Sequence, residues 1–141
     1  MSWILYATIA AAALAAADVF VKLAAGRLPN SLATLLYGSV AFSVGLVWYV
    51  TDRLRGNTEP VATAGVIYAL SVGAAFSAVT AALYGAFRAG APLSLTSPMV
   101  RLSGLVVASL CGVWLWSEPV TPRYIAGLCL ASAGVYLIVT R

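Results

Sequence analysis

With 141 residues, 62% of them hydrophobic and only 9% charged, the chain departs from a soluble domain, in which about 25% of residues are charged. Eight basic and four acidic residues cannot coat a globular surface, so the apolar surface faces lipid; the same figures exclude disorder, which needs polar, charge-rich sequence. The sequence has no histidine, which removes His-based metal sites and His acid–base catalysis, and its dispersed net charge of +4 makes no nucleic-acid surface.

A helical span needs about 20 apolar residues at about 1.5 Å each, and five segments reach that length. The first covers about residues 2–25. It has no basic residues ahead of it and outruns the apolar core of a signal peptide, so it reads as a retained span. Gly26-Arg27-Leu28-Pro29 ends it, and Asn30 or Ser31 is placed to cap the next helix. The second span covers about 31–50 and gives way to the polar stretch Thr51 to Pro60. The third, about 62–87, is broken at Arg88-Ala89-Gly90-Ala91-Pro92. The fourth, about 93–116, is followed by Ser117-Glu118-Pro119-Val120. Thr121 then caps the fifth, about 122–140, with Pro122 in its first turn, where a missing N–H costs nothing.

Barrel strands would alternate with period two over about ten residues, whereas these runs are long and uniformly apolar. Trp3, Tyr6, Trp48, Tyr49, Trp114, Trp116 and Tyr124 stand near span ends, where interfacial belts form. The expected fold is an all-α integral membrane protein, a five-transmembrane-helix bundle forming a single domain over residues 1–141, with loops too short for a soluble catalytic domain. Cys111 and Cys129 lie in apolar runs and read as small buried hydrophobes rather than a disulfide.

Helices in lipid pack where small residues let backbones approach. Stripes at three/four spacing are Thr34, Gly38, Ala41 and Gly45 in the second span, and Gly73, Ser77, Thr80 and Tyr84 in the third. The fourth carries Ser94, Ser97, Arg101, Gly104, Ala108 and Cys111, and the fifth Gly127, Ala131 and Gly134. The third and fourth stripes are more polar than packing needs, which suits a cavity at the bundle interior.

Three ionisable residues fall inside spans: Asp18, Lys22 and Arg101. A charge at the bilayer centre costs about 2.5–3.5 kcal/mol on insertion scales and is tolerated when paired or hydrated. Asp18 and Lys22, four apart, share a helix face; they form a local ion pair with Lys22 reaching the interface, or they line a polar cavity. Arg101 stands near mid-membrane and cannot shed its charge. It needs a partner elsewhere: Asp18, a freed carbonyl, water or a bound anion. Pro98, one turn earlier, is a candidate helix kink. Glu118 reads as an interfacial anchor.

Orientation is poorly encoded. Arg53, Arg55 and Arg123 flank one side and Arg27, Arg88 and Arg141 the other, tipped only by Lys22. Such balance suits dual topology, with copies inserting both ways and pairing as an inverted dimer around a midplane site.

The chain resembles a one-repeat, EamA-like member of the drug/metabolite transporter superfamily, over nearly its whole length. The residues that carry the likeness are Trp3 to Ala7 through Val21 to Ala24, Ala82 to Ala91, Leu95-Thr96-Ser97-Pro98, Glu118-Pro119-Val120-Thr121, and Gly127 to Leu137. Arg101 departs from the family pattern, as does Gly104, where that helix often carries a further proline. The related four-span exporters use a first-helix glutamate; here Leu14 matches that region, with Asp18 one turn later. The resemblance implies a small inner-membrane transporter, not an enzyme, working by alternating access as a homodimer among membrane lipids. Its substrate would be a small metabolite, a drug-like compound or a lipid-linked sugar; the two basic and one acidic buried charges lean toward one with an anionic group, which Arg101 would contact, with Lys22 and Asp18 as a coupling or gating pair. The residues expected to bind substrate or gate are Asp18, Lys22, Arg101, Ser97, Tyr84, Ser77 and Thr80, and those expected at a dimer or helix contact are Gly127, Ala131 and Gly134. No cofactor, metal or nucleic acid is expected. The alternative is a non-transporting membrane subunit, or one half of a heterodimeric transporter.

Overall fold

The computed structural model describes residues 3–57, 60–117 and 119–140. Ser2 (the expected first residue of the opening span), Glu118 (the interfacial anchor) and Arg141 (a flanking charge) lie outside the described residues.

Five helices follow one another: α1 (Trp3–Ala24), α2 (Asn30–Leu54), α3 (Thr63–Arg88), α4 (Leu93–Trp116) and α5 (Pro122–Val139). Each is long and apolar enough to cross a membrane, so the chain is an all-helical, multi-pass membrane protein. α2 runs past the apolar stretch by one polar turn, Thr51 to Leu54. That turn is held by local bonds: the Thr51 hydroxyl donates to the Val47 carbonyl at 2.7 Å, and Arg53 Nε donates to the Tyr49 hydroxyl at 3.1 Å.

The helix ends follow from local chemistry. Gly26, Gly56 and Gly90 take positive φ values of 78°, 78° and 95°, a backbone that glycine adopts without a Cβ penalty. α4 ends instead on Ser117, at φ 51°, whose N–H bonds back to the Gly112 carbonyl. At α5 the Thr121 side chain accepts from the Tyr124 N–H at 3.2 Å, and Pro122 opens the helix. The α2 cap differs from expectation. Pro29, extended at φ −58° and ψ 140°, takes the cap position, and Asn30 is already helical. A residue with helical φ/ψ cannot reach back over the first turn, so neither Asn30 nor Ser31 caps.

α1, α2 and α3 make one compact unit; α4 and α5 make a second. In the first, α3 packs against both α1 and α2. Its buried residues are Asp18, Ala33, Leu83, Tyr84 and Phe87. All five lie at one end, formed by the end of α1, the start of α2 and the end of α3. Elsewhere these helices turn large apolar side chains outward, as spans in hydrocarbon do. In the second unit α4 packs on α5, with Ser109 and Gly112 buried.

The small-residue stripes divide unevenly. On α3, Ser77 and Thr80 are half-buried and Tyr84 is buried, while Gly73 is exposed. On α2, Thr34 is half-buried but Gly38, Ala41 and Gly45 face outward. On α4 the expected stripe is turned in only in part: Ser97 and Arg101 are half-buried, Ser94, Gly104, Ala108 and Cys111 are exposed, and Ser109 and Gly112 are buried beside it. On α5, Ala131 and Gly134 are half-buried and Gly127 is exposed. A methyl group added at Gly38, Gly45, Gly73, Gly104, Gly127 or Gly134 would meet no atom within 4 Å beyond its own helix turn, so no neighbouring helix presses against these glycines. Cys111 and Cys129 are both free thiols and both exposed, against the expected burial. Lipid accepts a small hydrophobe on an outward face as readily as a core does, so apolar sequence context carries no inward direction.

Candidate functional site

The polar residues of the first unit converge where α1 meets α3. Short connections make α1 and α2 antiparallel, and α2 and α3 likewise, so α1 and α3 run in the same direction. The contact between Lys22, in the last turn of α1, and Phe87, in the last turn of α3, fits that geometry. The Lys22 ammonium stands over the Phe87 ring, 5.1 Å from its centroid, within cation–π range. One turn back along each helix lie Asp18 on α1 and Tyr84 on α3.

Burial singles out Asp18. It is only 4% exposed, and it is the only buried residue among the described residues of α1. The helix carries isoleucine, leucine, phenylalanine and valine, yet Ile4, Ile9, Val19 and Phe20 point outward while the acid points in. Phe87 at 4% and Tyr84 at 8% are its buried aromatic counterparts on α3. Hydrophobic burial cannot arrange a helix this way round, because lipid is as apolar as the side chains it would bury. Polarity sets the facing: a carboxylate is tolerated only away from hydrocarbon.

Further toward the start of α3, Thr80 and Ser77 continue the face. The Thr80 hydroxyl donates to the Phe76 carbonyl at 2.8 Å, which satisfies its own proton locally and leaves oxygen lone pairs along the stripe. Phe87 is the member that sequence reasoning missed. It lies three residues after Tyr84 on the face of Ser77, Thr80 and Tyr84, but its apolar ring carries no sequence mark that separates it from aromatics that face lipid.

Arg101, Ser97 and Pro98 belong to the second unit, where all three are half-buried on α4. The helix is unbroken through Pro98, which brings no N–H to its hydrogen-bond ladder. None of Asp18, Lys22, Ser97 and Arg101 lacks an interaction partner. Gly127, Ala131 and Gly134 lie on α5.

The chain matches no protein-family model, no curated protein and no solved structure. Its function must therefore be argued from its own geometry.

A groove of about 560 Å3 runs between the end of α4 and the start of α5, with Leu110, Val113, Trp114, Ile125 and Leu128 in its walls. It is apolar, and Ser109 on its rim is about 12 Å along α4 from Arg101 at the helical rise. A shallower recess of about 450 Å3 is lined by Asn30, Ser31, Thr34, Leu35 and Ala81. Beside it, the Asn30 Oδ1 atom is buried without a hydrogen-bond partner. Among the described residues no three His, Cys, Asp or Glu side chains gather as metal ligands.

Proposed function

We propose that the chain is a small inner-membrane transporter of the drug/metabolite type, working as an antiparallel homodimer by alternating access. The observation that supports this reading most is the facing of Asp18: a membrane-length helix hides its one acid and turns its large apolar residues outward. Ionisable groups kept inside a membrane protein mark substrate or ion pathways more than they mark packing. Asp18, Lys22, Tyr84, Ser77 and Thr80 would form the part of that pathway carried by the first unit. Arg101 and Ser97, with the proline-bearing turn at Pro98, would form the part carried by α4. Inversion is supported by the near-equal arginine flanks and by the odd number of helices, since a transporter commonly needs two inverted halves.

The test is uptake by a single purified component. Vesicles containing this chain alone are incubated with a mixture of small metabolites, and their contents are read by mass spectrometry. Saturable enrichment of particular species over empty vesicles is expected. No enrichment from correctly folded chain would sink the reading and favour a subunit that needs a second, different protein.

A further inference from the structure

The seam between α1 and α3 already holds a ligand of a kind, the chain's own Lys22 side chain. Its ammonium lies 5.1 Å from the centre of the buried Phe87 ring. It also shares a helix face with Asp18, four residues back and 4% exposed. A buried aromatic face with a buried carboxylate one turn away forms a receptor for a cationic nitrogen. The occupant of that receptor is chemically an n-butylammonium group attached to the backbone.

Two features argue against a permanent structural pin. Lys22 is only half-buried, so the receptor opens to its surroundings on one side. Lys22 also stands in the last turn of α1, where its long stem can carry the ammonium out to the membrane interface and to the negative end of the helix dipole. The side chain thus has a second place to go when it is displaced. A tethered group competes at an effective concentration of the order of millimolar, a level that a free metabolite can match.

We propose that the α1–α3 seam binds primary alkylammonium groups and that Lys22 is its resident competitor. The ammonium of an amine-bearing metabolite replaces the Lys22 ammonium over Phe87, one helical turn from Asp18, and Lys22 swings to the interface. This names a substrate class for the seam, and it rests on the transport reading only in taking that seam as part of the substrate path.

Calorimetric titration of the full chain in phosphatidylcholine nanodiscs tests the competition, with n-butylammonium chloride as probe and n-butanol as its uncharged match. Lys22→Met keeps the stem and removes the competing charge, and it should bind n-butylammonium about tenfold more tightly than the native chain. Adding Asp18→Asn to that variant should abolish binding, and adding Phe87→Leu should weaken it several-fold. n-Butanol should bind neither chain. If Lys22→Met does not fold by circular dichroism, Lys22→Gln takes its place. Affinity equal in the native and lysine-free chains, equal binding of butanol, or binding retained after Asp18→Asn would each overturn the proposal. Failed vesicle uptake beside a clear gain of binding would remove transport and leave the amine site; uptake without that gain would do the reverse.

Discussion

Asp18 faces inward because of its own polarity, since a carboxylate is tolerated only away from hydrocarbon. A carboxylate gains nothing from helix packing, and its inward facing orders α1 about its axis. The aromatic rings of Tyr84 and Phe87 complete that seam, and Lys22 ties α1 to α3 through the Phe87 face. Single residues at helix ends show the same directness. Ser117 closes α4 from a left-handed backbone at φ 51°, where a Cβ is unfavourable. Ser117→Gly should therefore stabilise the chain by up to about 1 kcal/mol. The check is the apparent melting temperature in detergent micelles, which should rise or hold; a clear fall would show that the serine side chain itself matters there.

At the scale of helices, existence and ends were legible, and facing was only partly so. Length and unbroken apolarity identify five spans because a membrane demands both. Gly26, Gly56 and Gly90 end helices, and Thr121 caps one, by chemistry that reads in a few residues. Thr121→Ala removes the acceptor for the Tyr124 N–H and should cost about 1 kcal/mol. Circular dichroism during heating should show earlier loss of helix; an unchanged transition would mean that α5 is set by packing alone. The start of α2 was misjudged because Pro29 presets the extended cap geometry before Asn30 can use it. The inward faces of α2 and α4 follow their small-residue stripes only in part, for a different reason. Small residues occur on both sides of a lipid-exposed helix, so Gly38, Gly45 and Gly104 signal an approachable surface without saying what approaches it. The polar face of α3 was readable because Ser77, Thr80 and Tyr84 cannot turn outward as cheaply as glycine can. Phe87 escaped for the converse reason, since nothing in an apolar context distinguishes an aromatic that faces lipid from one that receives a cation.

At the scale of the whole chain, the five helices form a three-helix unit that holds an acid–lysine–aromatic seam and a two-helix unit that carries Arg101. With three arginines flanking each side and only Lys22, near a span end, to tip the balance, insertion has little to favour one direction. A reporter fused to the C-terminus should accordingly return both orientations in comparable amounts, and adding two lysines to one flank should drive the population to a single one. A uniform orientation in the unmodified chain would exclude the inverted homodimer. The substitution Asp18→Asn bears most directly on the seam as a working centre, because it keeps the size and shape of the side chain and removes its charge, with an NH2 donor in place of one acceptor oxygen. In vesicles containing the chain alone, uptake should fall at least about tenfold while helix content and melting temperature stay near those of the native chain, the effect expected when a charged group acts in the transport cycle itself. Undiminished uptake by the Asp18→Asn chain would contradict the assignment of that seam.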